Sequence, residues 1–156
     1  MGFLNKLMGM GTAGSESKKE EIRQIFNSKV QNGESYTVVA CMHMAFEKKL
    51  LKDVYTYYNY LVGYKDGDDP EIVIISTTHD LASVDEPVYC KKSECTKAFY
   101  DPQGLYVIAH PQLGAEEIKF TVIPSTAWGG YIISVSYVDE ATPFWEFFQK
   151  RFEKSR

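Results

Sequence analysis

Short runs of β-branched and aromatic residues dominate the stretch between residues 36 and 138, and clusters of Gly, Pro, Asp and Asn separate them. Successive side chains of a strand point to opposite faces of a sheet, so such runs predict strands. The clearest separator is Asp101-Pro102-Gln103-Gly104, in which Pro fixes one backbone angle and Gly supplies a positive φ. The stretch therefore predicts about seven antiparallel strands, the last of them over residues 131–138.

The first two runs are the longest, and a lysine-rich turn, Lys48 to Asp53, joins them into a predicted hairpin. The second run is crowded with tyrosines. We predict that Tyr55 and Tyr57 lie on the same face as His43 and form an exposed aromatic patch with it, because Tyr supplies rigid, amphipathic contact area. Packing against neighbouring strands is the alternative role for these rings.

A helix is predicted at each end of this β region. Ser17 and Glu20 have the spacing of a capping box, and Asn32-Gly33 is a stop signal. The residues expected to line the inner face of this first helix are Ile22, Ile25, Phe26 and Val30. The second helix is predicted to begin at Thr142-Pro143. Its inward aromatic stripe is expected to consist of Trp145, Phe148 and Phe152, with Phe144 beside them.

Length and charge exclude several classes of protein. The chain has 156 residues and a net charge of −4, which suits one domain and argues against nucleic-acid binding, because phosphates require clustered cations. No apolar run approaches the ~20 residues of a membrane-spanning helix. We predict one domain over residues 15–156, preceded by a flexible or amphipathic segment, 1–14, whose apolar face would suit a membrane surface or a protein.

The cysteines and histidines do not form a recognisable reaction centre. Cys41, Cys90 and Cys95 are an odd number without metal-ligand spacing, and with the lack of a signal peptide they indicate reduced thiols and a cytoplasmic location. Whether Cys90 and Cys95 pair is left open. His79 lies beside Asp80 in a turn, and His110 precedes Pro111, which favours a turn role. No catalytic motif is present, so no enzymatic activity, cofactor or metal is expected.

The order of elements, with a strand series from Tyr36 to Val138 followed by a helix from Pro143 to Lys154, resembles the pleckstrin-homology-like (PH-like) superfold. The resemblance implies an α+β, mostly β fold: a bent antiparallel sandwich or partly open barrel of about seven strands, capped by the C-terminal helix. The N-terminal helix is an addition to the minimal pattern. Bacterial members of this superfold are mostly binding or assembly modules, and eukaryotic members bind phosphoinositides with basic residues of the first hairpin loop. Lys48, Lys49 and Lys52 match that loop in charge and position, although the arginines that complete the pattern are absent.

Three interpretations of function remain. The first is a non-enzymatic interaction module that binds a protein, including another copy of itself, through the aromatic sheet face or a strand edge. The second is a cone of the nuclear-transport-factor type that binds or hydrolyses a small ligand, with His43 or His79 at the floor of a tyrosine-lined pocket. The third is peripheral contact with phospholipid through the N-terminal segment and the three hairpin lysines.

Overall fold

The computed structural model describes residues 3–114, 117–123 and 136–154. Two helices enclose seven strands in chain order. The elements are α1 (Phe3–Lys29), β1 (Thr37–Lys48), β2 (Asp53–Lys65), β3 (Glu71–Thr77), β4 (Val88–Lys91), β5 (Lys97–Tyr100), β6 (Tyr106–Ala109), β7 (Ile118–Val122) and α2 (Val138–Phe147), which continues into a π-helical turn, Phe148–Phe152.

The strands form one antiparallel sheet in the order β4-β3-β2-β1-β7-β6-β5, curled into a half-barrel. The predicted fold class is therefore confirmed: mostly β, partly open, with a helix at each end. The strand positions also agree with the alternation of the sequence, because these runs carry a side-chain period of two. The predicted strand over residues 131–138 falls largely outside the described residues, and Val138 opens α2.

The core lies on both faces of β2. Gly63 faces α1, where the ring of Phe26 lies directly over it. The next residue, Tyr64, points to the opposite face and contacts Phe144 of α2 at a ring-centroid distance of 5.1 Å. Tyr106 of β6 meets the same Phe144 at 4.8 Å. The interior of the half-barrel is thus filled by aromatic rings, while α1 covers its outer side.

Both helices begin earlier than the sequence predicts. α1 is continuous through Ser17, so the predicted capping box at that residue is wrong. The predicted stop is confirmed, because Asn32 adopts a left-handed conformation with φ 57°. α2 begins at Val138 and contains Pro143, so the prediction of Pro143 at the first helical position is also wrong. Acidic residues in its first turn favour the earlier start, because they complement the helix dipole.

The aromatic stripe of α2 differs from the prediction by one residue. Phe144, Phe148 and Phe152 are fully buried, whereas Trp145 is exposed. The spacing of four keeps the three Phe rings on one face of the helix, and Trp145 lies about 100° away from Phe144.

The cysteines are free, buried thiols. Cys90 and Cys95 are hydrogen-bonded to each other. The Cys90 thiol stabilises the thiolate of Cys95, and this is the main reason why the pKa of Cys95 is lowered.

Candidate functional site

The hairpin of β1 and β2 extends beyond the rest of the sheet. Pairing between β1 and β7 is confined to Cys41 and Met42, and pairing between β2 and β3 begins at Asn59. Among the described strands, residues 43–48 and 53–58 therefore pair only with each other. We call residues 43–58 the arm. Six residues a strand give it a length of about 20 Å.

Within the arm, the edge of β1 that faces β7 is not paired with any described strand. Ile123 N–H donates to the carbonyl of Ala40 at 3.0 Å, so the main-chain groups of Ala40 face the β7 side. In an antiparallel strand these groups alternate between the two sides, so those of Met44 and Phe46 face the same way. No described strand pairs with either residue on that side, because β7 has turned away to pair with β6. As far as the structure describes the chain, the sheet is therefore split between β1 and β7 beyond Met42.

The register of the hairpin separates the predicted aromatic patch. His43 lies opposite Tyr58, whereas Tyr57 lies opposite Met44 and Tyr55 opposite Phe46. Directly paired residues share a face, so Tyr55 and Tyr57 lie on the face opposite to His43. The prediction of a common face is wrong. The reason is the register of the hairpin, in which each odd-numbered residue of β1 pairs with an even-numbered residue of β2. The alternation within either strand alone does not reveal this register.

One face of the arm is a cluster of four large side chains, which we call the outer face: Met44, Phe46, Tyr55 and Tyr57. It is the face on which α1 packs further along the hairpin. All four are exposed by more than a third, and the rings of Phe46 and Tyr55 lie 5.1 Å apart. The expectation that Tyr55 and Tyr57 are surface residues is confirmed.

The other face borders a groove of about 310 Å³ between the arm and β7. The residues that line it are His43, Ala45, Tyr58, Tyr60, Leu113, Glu117, Ile118 and Lys119. The imidazole of His43 stacks on Tyr58 with a centroid distance of 6.2 Å and an interplanar angle of 16°. Glu117 lies 3.8 Å from Lys119, so the polar rim carries both signs of charge.

Burial lowers the pKa of His43 below its ordinary value, and the ammonium of Lys119 lowers it further, while Asp101 acts weakly in the opposite direction. The imidazole is therefore neutral at physiological pH, with one nitrogen as a donor and the other as an acceptor. A neutral, stacked imidazole suits recognition by hydrogen bonding and ring contact.

The third surface is the tip of the arm, residues 48–52. Lys49 N–H donates to the Lys52 carbonyl at 2.9 Å, and Lys52 N–H donates back to Lys49 at 3.3 Å. This reciprocal pair leaves only Leu50 and Leu51 in the turn. They are 99% and 95% exposed. The three predicted lysines thus flank two leucines at the most distant point of the hairpin.

The remaining histidines lie outside the arm. His110 is buried, and its Nδ1 accepts the N–H of Gln112 at 3.0 Å, which confirms the predicted turn role. His79 is exposed in a turn. The carboxylate of its neighbour Asp80 accepts hydrogen bonds from Thr78 Oγ1 at 2.8 Å and Ala82 N–H at 3.0 Å, so this acid holds the turn.

The six predicted binding residues all lie on the arm, but on three different surfaces. His43 lines the groove, Tyr55 and Tyr57 belong to the outer face, and the lysines surround the tip. The groove residues of β7 and its neighbouring turn are not evident from the sequence, because their position depends on long-range pairing. Leu50 and Leu51 are not among the predicted binding residues. Two adjacent leucines in a hairpin turn without Gly or Asn are an unusual signal that could have revealed them.

No helix in the described part of the chain is both long and apolar enough to cross a membrane. Comparison with models of protein families, with curated proteins and with solved structures finds no significant match to this chain.

Proposed function

We infer that this chain is a non-enzymatic binding module of the PH-like fold, which binds an extended segment of a partner protein along the open edge of β1. The half-barrel with its C-terminal helix is compatible with that fold. The observation that carries the inference is the split between β1 and β7. The main-chain groups of Met44 and Phe46 face the β7 side, where no described strand pairs with them, and a groove lies between the arm and β7.

An added strand would satisfy those main-chain groups and extend the sheet. Main-chain hydrogen bonds supply affinity in this mode of recognition, and pockets for alternate side chains supply selectivity. The groove provides such pockets: the rings of His43 and Tyr58 form one wall, and Ile118 lies on the β7 side. Side chains of the bound segment that point towards this face would contact the two walls.

The alternative of a ligand-binding cone has less support. A cone requires a cavity between helix and sheet, but rings occupy that space: Phe120 lies 5.6 Å from Tyr106 and 6.2 Å from Tyr60. His79 is exposed in a turn and not at the floor of a pocket. The arm is the feature of the described structure with the most apolar side chains left in solvent.

The test uses a displayed library of random linear peptides, selected on the whole protein. Enriched peptides are expected to protect the amides of Met44 and Phe46 from hydrogen exchange. The key variant is Phe46→Pro, which removes an edge donor at a position where an edge strand tolerates proline. It should weaken binding by about fivefold to tenfold, since one net hydrogen bond contributes about 1 kcal/mol.

The matched control is Phe46→Ala, which removes the ring from the outer face but keeps the N–H. It should bind the selected peptides nearly as well as the wild type. Equal loss in both variants would place the binding surface on the outer face, and peptides that protect no arm amide would contradict the inference altogether.

A further inference from the structure

Two cysteines lie where the outermost described strands of the sheet, β4 and β5, follow each other in the chain. The sheet runs from β4 at one edge to β5 at the other, so one short connection, residues 92–96, links its two edges. Cys90 lies in β4 just before this connection, and Cys95 lies near its end. Both thiols are free and both side chains are buried. We call residues 90–97 the seam.

The main chain of the seam turns back so that the two thiols meet. A short 3-10 turn, Lys92–Glu94, follows β4. The N–H of Cys95 then donates to the carbonyl of Lys91 at 3.2 Å. The thiol of Cys90 is hydrogen-bonded to that of Cys95. A disulfide requires an S–S distance of about 2 Å, and side chains whose sulfurs are already in contact need only small rotations to reach it.

Contacts from two other parts of the chain hold the seam in this shape. In the turn between β2 and β3, the carbonyl of Pro70 accepts a hydrogen bond from Lys92 N–H at 2.8 Å. Beyond α2, Nζ of Lys154 donates to the carbonyl of Cys95 at 2.7 Å and to that of Lys92 at 3.1 Å. The meeting of the two thiols is therefore a property of the folded chain and not of their spacing in sequence alone.

The two thiols differ in acidity. The hydrogen bond from Cys90 is the main reason why the pKa of Cys95 is lowered, and the ammonium of Lys154 lowers it further. Burial and the carboxylates of Glu94 and Asp69 act in the opposite direction. The same hydrogen bond, together with burial, raises the pKa of Cys90. Since the thiolate is the nucleophile in oxidation, Cys95 is the sulfur that reacts first.

Cys95 lies just beneath the surface. Its neighbours on both sides, Glu94 and Thr96, are exposed, whereas the side chain of Cys95 is buried. Opening of the short turn before it is a local event, which requires less free energy than unfolding of the whole chain. Hydrogen peroxide is little larger than water, so such an opening is enough to admit it. The thiol pair is therefore within reach of a small oxidant.

We propose that Cys90 and Cys95 are a redox-active thiol pair, which a peroxide oxidises to a disulfide that locks the seam. The two ends of the connection are then joined covalently, whereas in the reduced protein they are held by hydrogen bonds and packing. The proposal is independent of peptide binding at β1, because it involves no residue of the arm.

The reaction with hydrogen peroxide proceeds in two steps. The Cys95 thiolate attacks one peroxide oxygen, the O–O bond breaks, and Cys95 becomes a sulfenic acid while hydroxide leaves. The sulfur of Cys90 then loses its proton and attacks the sulfur of Cys95, so the S–S bond forms, the S–O bond breaks and a second hydroxide leaves. The two hydroxides take up the two thiol protons. Two thiols and one peroxide thus give one disulfide and two molecules of water.

The test treats the reduced full chain with an equimolar amount of hydrogen peroxide and blocks the remaining thiols with iodoacetamide. One of the three cysteines, Cys41, should still be alkylated. Trypsin cuts after Lys91 and Lys92, so Cys90 and Cys95 fall in different peptides, 66–91 and 93–97. These two peptides should be recovered joined, and dithiothreitol should separate them.

Three variants assign the roles of the sulfurs. Cys95→Ser should slow oxidation at least about tenfold, because it leaves only the less acidic thiol of the pair. Cys90→Ser should stop the reaction at the sulfenic acid of Cys95, which dimedone traps. Cys41→Ser is the matched control, since it removes a buried thiol three strands away from β4, and it should form the disulfide as fast as the wild type. Circular dichroism confirms that each variant is folded.

The disulfide should also change the thermal stability. It closes a loop of six residues, 90–95. Such a cross-link restricts the unfolded chain, and we expect a rise in Tm of about 5 °C. Dithiothreitol should reverse the rise. Cys95→Ser treated with peroxide should show no rise, whereas treated Cys41→Ser should show the same rise as the wild type.

Several results would overturn the proposal. A wild type that keeps three reactive thiols after treatment is one, and sulfinic acids on separate cysteines in place of joined peptides are another. A disulfide that includes Cys41, or that links two copies of the chain, would show that the seam does not select the reacting pair. Oxidation of Cys95→Ser at the rate of the wild type would contradict the role given to that sulfur.

Discussion

At the scale of single residues, Gly63 decides how closely α1 approaches the sheet. A Cβ at this position would lie 2.1 Å from Cζ and 2.6 Å from Cε2 of Phe26. The ring is fully buried and cannot swing into solvent. Only glycine leaves room for the ring at this position. This explains why glycine occurs inside a strand, where it is normally unfavourable.

We predict that Gly63→Ala destabilises the fold by about 1–3 kcal/mol, as overpacked cores do. Urea unfolding measures this directly. Phe26→Leu alone should be destabilising. In the Gly63→Ala background it should restore part of the lost free energy of unfolding, because the two sites are in contact and their effects are not additive. Strand propensity alone predicts that Gly63→Ala stabilises the fold. A variant more stable than the wild type would therefore show that the contact between Gly63 and Phe26 does not control packing.

At the scale of elements, the arm is separate from the core. No residue between 43 and 58 belongs to the buried set, whereas the same two strands are buried on both faces nearer their other ends. An isolated two-stranded hairpin is marginally stable in water. The arm therefore contributes surface and not stability, and it owes its shape to the continuation of both strands into the sheet.

We predict that the arm can be shortened without loss of the fold. Replacing residues 44–57 by Asn-Gly keeps the His43–Tyr58 pair, whose main-chain groups face each other across the hairpin, and closes it with a favourable two-residue turn. The free energy of unfolding should change by no more than about 1 kcal/mol, as for surface changes in general. Thermal unfolding followed by circular dichroism measures this, and loss of a cooperative transition would show that the arm belongs to the core. The shortened protein should not bind the selected peptides.

At the scale of the whole molecule, the aromatic residues divide between the core and the arm. Tyr36, Tyr60, Tyr64, Tyr106 and Tyr137 are buried, whereas Tyr55, Tyr57 and Tyr58 are exposed on the arm. Burial raises the pKa of Tyr60 to about 12, and it is the largest cause of the raised pKa of each of the other four. For Tyr36, the hydroxyl also donates to the buried carboxylate of Glu71.

These shifts predict a loss of stability at alkaline pH. A raised pKa in the folded state means that the unfolded chain releases the phenol protons first, so the stabilisation is complete below the ordinary pKa near 10 and falls as the pH rises towards 12. The ultraviolet absorbance of tyrosinate should therefore rise later in the native protein than in urea. Tyr60→Phe should remove one late-titrating group. Superimposable native and denatured curves would contradict the burial of these rings.

Much of the fold could be predicted from the sequence because its signals are local. The alternation of apolar residues places the strands, Asn32 marks the end of the first helix, and Asp101 to Gly104 marks a turn. Each depends on steric preferences or hydrogen bonds within a few residues. The predicted helix starts are wrong because they, too, depend on local signals. Ser17 and Pro143 are residues typical of a helix start, but both helices continue through them from earlier residues.

The candidate site was only partly predictable. The sequence placed all six candidate binding residues on one hairpin, and it indicated that Tyr55 and Tyr57 are on the surface. It could not assign the face of His43, because that depends on the pairing parity across the turn.

The sequence by itself determined which segments become strands and helices, and where charge and aromatic rings occur along the chain. Only the tertiary structure decided which strand edges stay open. β7 leaves β1 after Met42, and β3 joins β2 only from Asn59, so the arm is defined by where distant partners stop pairing. That boundary is set by the curvature of the whole sheet and by contacts far apart in sequence, which no local pattern encodes.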